Sequence, residues 1–272
     1  MRDLTLSGAK DGDNSDPDLE LPIITDEKSP IAVYDGDIEE DLCRFGSIRD
    51  AESIIGRLSS PGKMPGPAFN LPASACRIGS FLKDNPNSVC SHCLAADEWE
   101  WRKQTALIEG HGPKRNNFIK LNVRRDNANR LHQLRHPFWV PAMVFVLRNQ
   151  RFGCGIKWMR WFSSGDLQSP AHLKNIELVA RYTPRTRHWM STREQVIARQ
   201  AEQPKNLVVR VSGHWIDGAP PKGFEQVSSV SRGDEPTHGG FRCPADKAGD
   251  YVCGNCRACW DPEVYHIDYP LH

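Results

Sequence analysis

The placement of the cysteines constrains this chain more than any other feature. Cys90 and Cys93 are two residues apart, so one short loop aims both thiolates at a single ion or cluster. Cys76 reaches the same place across a loop containing Gly, Asn and Pro, long but closable. A denser set lies further on: Cys243, then Cys253-Gly-Asn-Cys256-Arg-Ala-Cys259. Three ligands in one place and four in another imply two different centres. The four-cysteine set reads either as a zinc knuckle that staples a segment with few apolar anchors or as a second iron–sulfur cluster. The three-cysteine set reads either as a zinc site completed by His92, His111 or another side chain, or as a four-iron–four-sulfur (4Fe–4S) cluster with one iron left open.

Nine cysteines behind an opening Met1-Arg-Asp-Leu-Thr, which lacks an apolar stretch, argue for ligation in a reducing cytosol and against a disulfide framework. The most apolar run, Phe138 to Leu147, is too short to span a bilayer and contains Pro141, so no membrane partner is expected. The net charge of +1 conceals an asymmetry. Residues 1–41 carry thirteen Asp and Glu against three Lys and Arg, and residues 101–160 carry thirteen Lys and Arg against two Asp and Glu. Residues 1–60 therefore read as an acidic, largely disordered region. The basic stretch 101–160 is a solvated helix face or a contact for nucleic acid. Cys43, alone in its region, reads as a packing residue.

Helical spacing of Ile48, Ala51, Ile54 and Ile55 marks a short helix, and Ala68 to Leu71 a short strand. Helices are expected over 94–108 and over 124–148, the latter interrupted at Pro137 and Pro141. From residue 156 short apolar runs alternate with helical ones. Strands are expected at 156–162, 186–190, 207–211 (closed by Ser212-Gly213) and 224–230. A helix starts at Pro170 with Ser169 as its cap, and another follows a Thr192 cap over 193–200. Such alternation predicts βαβ units in a parallel α/β sheet, with ligands at the carboxyl ends of the strands. Trp158, Trp161 and Trp189 read as core; His188 and His214 are weak candidates for acid–base work. Asp166, closing a strand before a helix, suits a turn or a cap.

The order of an early Cys-x-x-Cys pair, a strand ending Ser164-Gly165-Asp166, a Trp189-x-x-Thr192-Arg193 segment and a terminal cysteine set resembles the phage gene eighty-eight protein family over residues 63–260. At one remove it resembles the radical S-adenosylmethionine (SAM) enzymes. That resemblance implies a partial (β/α) barrel over residues 61–235 and a cysteine-rich subdomain over 236–272. It implies a 4Fe–4S cluster on Cys76, Cys90 and Cys93, binding SAM to generate a radical on a substrate the sequence does not name. By the same resemblance His92, Ser164, Gly165, Asp166, Arg210 and Ser212 would contact SAM. Cys243, Cys253, Cys256 and Cys259 would hold a second cluster or zinc. The first cysteine gap is longer than that superfamily's usual one, and little room is left for a further strand between Val230 and Cys243. The alternative is a zinc-stabilised module that binds nucleic acid or protein without catalysis.

Overall fold

The computed structural model of the chain describes residues 30–93, 95, 125–150, 155–246 and 252–271. The helix expected over 94–108 and most of the basic stretch lie outside them. Seven strands form one open sheet: β1 (Ala68–Phe69), β2 (Trp158–Trp161), β3 (Arg187–Thr192), β4 (Leu207–Ile216), β5 (Gln226–Ser231), β6 (Phe241–Arg242) and β7 (His266–Pro270), in spatial order β1-β2-β3-β4-β5-β7-β6. Every strand pairing is parallel.

Local chemistry sets the helix starts. Asp37 caps α1 (Ile38–Leu42), its carboxylate accepting from the amides of Glu39 and Glu40; Ser47 caps α2 (Ile48–Ile55). Helix α5 (Pro170–Tyr182) begins as the sequence predicts, with the Ser169 hydroxyl accepting from the His172 amide and Pro170 in the first turn. The long segment after residue 124 breaks as expected: residues 125–133 are helical, and α4 (Trp139–Asn149) follows. Pro141 sits in the first turn of α4, where a missing N–H costs nothing. Helix α4 packs against α1, α2 and α5, and Trp139, Met143 and Leu147 sit in the core. Ile38, Ala51 and Ile55 join them, so the chain contributes core side chains well before residue 61.

Alternation along β4 separates two faces. Leu207, Val209 and Val211 enter the helix-covered core. Arg210 and Ser212 alternate with them and face the other way. That second face is covered by the turn Ala258–Trp260. Trp260 meets Trp189 and Trp158 edge-on, with ring centroids 5.1 and 5.6 Å apart, and its indole N–H donates to Met159 O at 2.8 Å. Trp161 and Trp189 are buried, and Trp158 is half-buried.

Four expectations need correction. Strand β4 does not stop at Ser212-Gly213. It runs to Ile216, shifting register against β5 after Ser212, and its far end pairs with the cysteine loop through a Ser88–Trp215 bridge. The helix after β3, α6, covers only Gln195–Ala198, because Thr192 belongs to β3. Two strands follow Val230, not a cramped remnant: β7 comes from beyond the cysteines and inserts between β5 and β6. Cys43 is exposed. Among the described residues, no helix is long and apolar enough to cross a membrane.

Candidate functional site at the carboxyl ends of the strands

Cys76 lies seven residues beyond β1 and is the N-cap of α3 (Arg77–Leu82); Cys90 and Cys93 lie in and after the short turn Val89–His92. The Ser88 hydroxyl accepts from the Cys90 amide and closes that turn. Gly79, one turn into α3, has no side chain where the thiols meet. A Cβ there would stand 3.0 Å from Cys76 Cβ, 3.7 Å from Cys90 Sγ and 3.9 Å from Cys76 Sγ. Both sulfurs thus flank one point, and Ile78 and Leu82 pack around Cys90 from the same helix.

Burial pushes the Cys76 thiol up, and the neighbouring Asp166, Cys93 and Cys90 push it further. Burial likewise raises Cys90, opposed by the Arg193 guanidinium and the Ser88 hydrogen bond. Cys93 thus lies within electrostatic reach of both Cys76 and Cys90 and disfavours their ionisation. A cation or cationic cluster reverses that logic, since bound thiols are deprotonated outright. Among the described residues, no three His, Cys, Asp or Glu side chains form a ready-closed group for a metal ion.

Two buried carboxylates fix this corner. Asp166 Oδ1 accepts from Leu167 N at 2.8 Å and from the Thr192 hydroxyl at 2.5 Å, and its Oδ2 accepts from Arg193 N at 2.9 Å. Burial raises its pKa while these bonds hold it down. Glu194 accepts from Ile78 N at 3.4 Å and from Arg77 Nη2 at 3.0 Å, so a residue after β3 satisfies the first turn of the cysteine-bearing helix. Glu194 is raised by burial and then by Asp166, with Arg77 opposing. Glu194→Gln is expected to leave the sheet folded and to loosen α3, measured as faster hydrogen exchange at Ile78 to Ser80 with little change at β3.

Ser164 and Gly165 brace the chain leading to Cys76. Ser164 O accepts from Leu71 N at 3.0 Å, and the Ser164 hydroxyl donates back to Leu71 O at 3.0 Å. Gly165 has φ +80°, and a Cβ there would sit 2.4 Å from Leu71 Cβ and 2.9 Å from its backbone. His92 is exposed. Ser212 shares hydroxyl bonds with Ser191 (3.0 Å) and Ser228 (2.9 Å), a ladder across β3, β4 and β5. Arg210 is fully buried and turned toward the second cysteine set, donating to the carbonyls of Val227 and Tyr265 at 3.1 Å and of Ala258 and Asp261 at 3.4 and 3.5 Å.

The second set lies on the same face, above Trp260. The Cys253 amide donates to Lys63 O, in the turn before β1, and the Cys243 amide to Asp268 O of β7. Cys259 Sγ is 3.3 Å from the Tyr269 hydroxyl. Burial, with Cys243 adding to it, pushes the Cys259 thiol up to about 11; Tyr269, Arg210 and Arg160 pull the other way. Cys253 is raised by burial and by Cys256, with Arg160 again opposing.

Sequence reasoning missed Glu194, Arg160 and Tyr269. Glu194 falls within the helix expected over 193–200, and single residues on β2 and β7 facing a distant cysteine segment leave no local signal. His188 is fully buried, stacked on Trp161, with its Nε2 2.9 Å from the Thr183 hydroxyl, far from acid–base duty. His214 is half-buried at 3.4 Å from Gln195 Nε2.

Residues 50–262 match the family model described as gene product 88. No curated protein and no solved structure matches the chain.

Proposed function

The chain belongs to the gene product 88 family, and we propose that it is a radical SAM-like enzyme that acts on a substrate held at the carboxyl ends of its strands. The observation that carries this reading is that Cys76 and Cys90 flank Gly79 beyond the carboxyl end of β1, with Cys93 and Asp166 in electrostatic reach and Glu194 bonded to the same helix. In parallel sheets that edge is where ligands collect. On this reading the open sheet is a partial (β/α) barrel and the segment from residue 236 is its cysteine-rich subdomain, carrying a second centre on Cys243, Cys253, Cys256 and Cys259.

Cys76, Cys90 and Cys93 would hold the 4Fe–4S cluster. The chemistry such a group supplies is one-electron cleavage of SAM to a carbon-centred radical that removes hydrogen from a substrate. The protein's part is positional. Glu194 and Ser88 hold the cysteine loops, and Asp166 locks the ends of β2 and β3. Ser164 and Gly165 shape the wall by packing on Leu71, and Arg193 sets positive charge near the thiols. The Ser191, Ser212 and Ser228 hydroxyls give the same face polar donors.

A second reading, a zinc-stabilised nucleic-acid-binding module, is favoured by the half-buried Trp158, whose ring has Lys157, Arg257 and Arg187 at 5.7, 5.4 and 5.8 Å. One experiment separates the two. Protein loaded anaerobically with iron and sulfide is mixed with dithionite and SAM, and 5′-deoxyadenosine is measured. Wild type is expected to form it and Cys93→Ala to form none. Zinc-loaded, colourless protein that makes no deoxyadenosine but retains single-stranded DNA, lost on Trp158→Ala, would overturn the enzyme reading.

A further inference from the structure

Arg160 and Arg210 stand on β2 and β4 beneath the C-terminal cysteines, and the nearest ionisable neighbours of both include Cys259 and Tyr269. Arg160 also feels Cys253. Its Nη1 contacts Met64 Sδ at 3.2 Å and its guanidinium lies 4.5 Å over the Trp189 ring. Arg210 is fully enclosed and bonded only to carbonyls. Among the described residues neither makes an ion pair with a carboxylate. The Nε of each is buried with no hydrogen-bond partner.

A fully buried Arg210, with Asp261 in electrostatic reach but not in an ion pair, and a half-buried Arg160 are costly to hold without further negative charge, and so is a buried dianion. Four thiolates around a divalent metal carry two negative charges, as do four thiolates around an oxidised four-iron cluster. Either offsets the two guanidinium charges. We propose that Cys243, Cys253, Cys256 and Cys259, with Arg160, Arg210 and Tyr269, form a seat for a dianionic tetrathiolate centre, the two arginines balancing its charge and Tyr269 donating to the Cys259 sulfur. The seat lies on the face of the sheet that the turn Ala258–Trp260 covers, and it is built from different residues than the Cys76 site. The inference rests on the reading that these four cysteines share one centre.

The test uses the full chain carrying Cys76→Ser, Cys90→Ser and Cys93→Ser, so that only this set can ligate. One arm titrates cobalt(II) and follows the thiolate-to-cobalt absorption; the other supplies iron and sulfide anaerobically and counts iron per chain. Whichever arm fills names the source of the dianion. Arg160→Met is expected to weaken binding about 10- to 100-fold, the usual cost of losing an outer-shell partner. Arg160→Lys should recover most of that loss, and Tyr269→Phe should cost several-fold. The metal-free melting temperature of Arg160→Met should be unchanged or higher, because an unpaired buried charge is gone, while the loaded protein melts lower than its parent. That opposition of sign is not produced by a merely structural arginine. Equal affinity in parent, Met and Lys variants would overturn the charge-balancing seat. Absence of a four-thiolate spectrum and of bound iron in the parent would instead overturn the shared-centre reading itself.

Discussion

Acidification is expected to unfold this protein well above the range in which surface carboxylates titrate. His172 and His188 are both fully buried, and burial lowers each from an ordinary 6.5 to about 3. His172 lies between Trp139 and Phe162, with Nε2 unpartnered, and His188 lies against Trp161 with Nδ1 unpartnered. Folded, both stay neutral between pH 6.5 and 3; unfolded, both take up a proton as pH falls through 6.5. The unfolded state therefore binds more protons in that window, so stability is intact above 6.5 and falls as pH drops. Each histidine removes about 1.4 kcal/mol per pH unit, or roughly 4 kcal/mol for the pair by about pH 5. That is a large share of an ordinary domain's stability, about 5–15 kcal/mol. His136, His214 and His266 are lowered by burial too and act in the same direction. Asp166 and Glu194, raised in the fold, act in the opposite direction, above the ordinary carboxylate range. Urea unfolding followed by tryptophan fluorescence at pH 7, 6 and 5 reads the slope. His188→Asn should lower stability at pH 7 yet flatten the decline toward pH 5. A slope unchanged by that substitution would show that His188 is not the titrating group.

The parts of the fold legible in the sequence are those decided by neighbours in the chain. Ser169-Pro170 names a helix start because cap and first turn are local, and Val208 to Val211 reads as a strand because few other structures want such a run. What was not legible depends on distant pairing. His266 to Pro270 is too polar to announce a strand, yet it inserts between β5 and β6 because Ser231 and Arg242 both bond Asp268. Ser212-Gly213 looks like a stop, but β4 continues because residues 87 and 88 of the cysteine loop pair with its far end. At the site, the grouping of Cys76 with Cys90 was legible from spacing alone. Which charged groups face them was not: Arg210 was expected at a cofactor and instead holds carbonyls around the second cysteine set. Glu194, hidden in a predicted helix, reaches back 116 residues to the amide of Ile78.

Replacing Asp166 is expected to have the largest effect of any single substitution in the sheet's upper edge. Asp166→Ala leaves the Leu167 amide, the Thr192 hydroxyl and the Arg193 amide without their shared acceptor in a closed pocket where Asp166 is 6% exposed. Unsatisfied buried donors cost about 1–3 kcal/mol each, so a total of roughly 3–9 kcal/mol is expected for the three, less whatever water enters. Asp166→Asn keeps one acceptor oxygen but turns an N–H₂ group toward a donor, so it should lie between wild type and Ala. The cap and the cofactor interpretations of this residue then merge. Its oxygens bond the protein's own groups, and it reaches the thiols both through its own charge beside Cys76 and through Arg193 and Glu194. Thr192→Val tests that route, because it removes the 2.5 Å bond that the hydroxyl donates to Asp166 and the 3.1 Å bond that it accepts from the Glu194 amide. Asp166→Asn and Thr192→Val should be non-additive in a double-mutant cycle, coupled by about 1–2 kcal/mol. The same pair should change hydrogen exchange at Ile78, across the chain from both, since Glu194 is two residues beyond Thr192 and accepts from that amide. Strict additivity with Ile78 unmoved would mean that Asp166 holds only its own turn and does not position the cysteines.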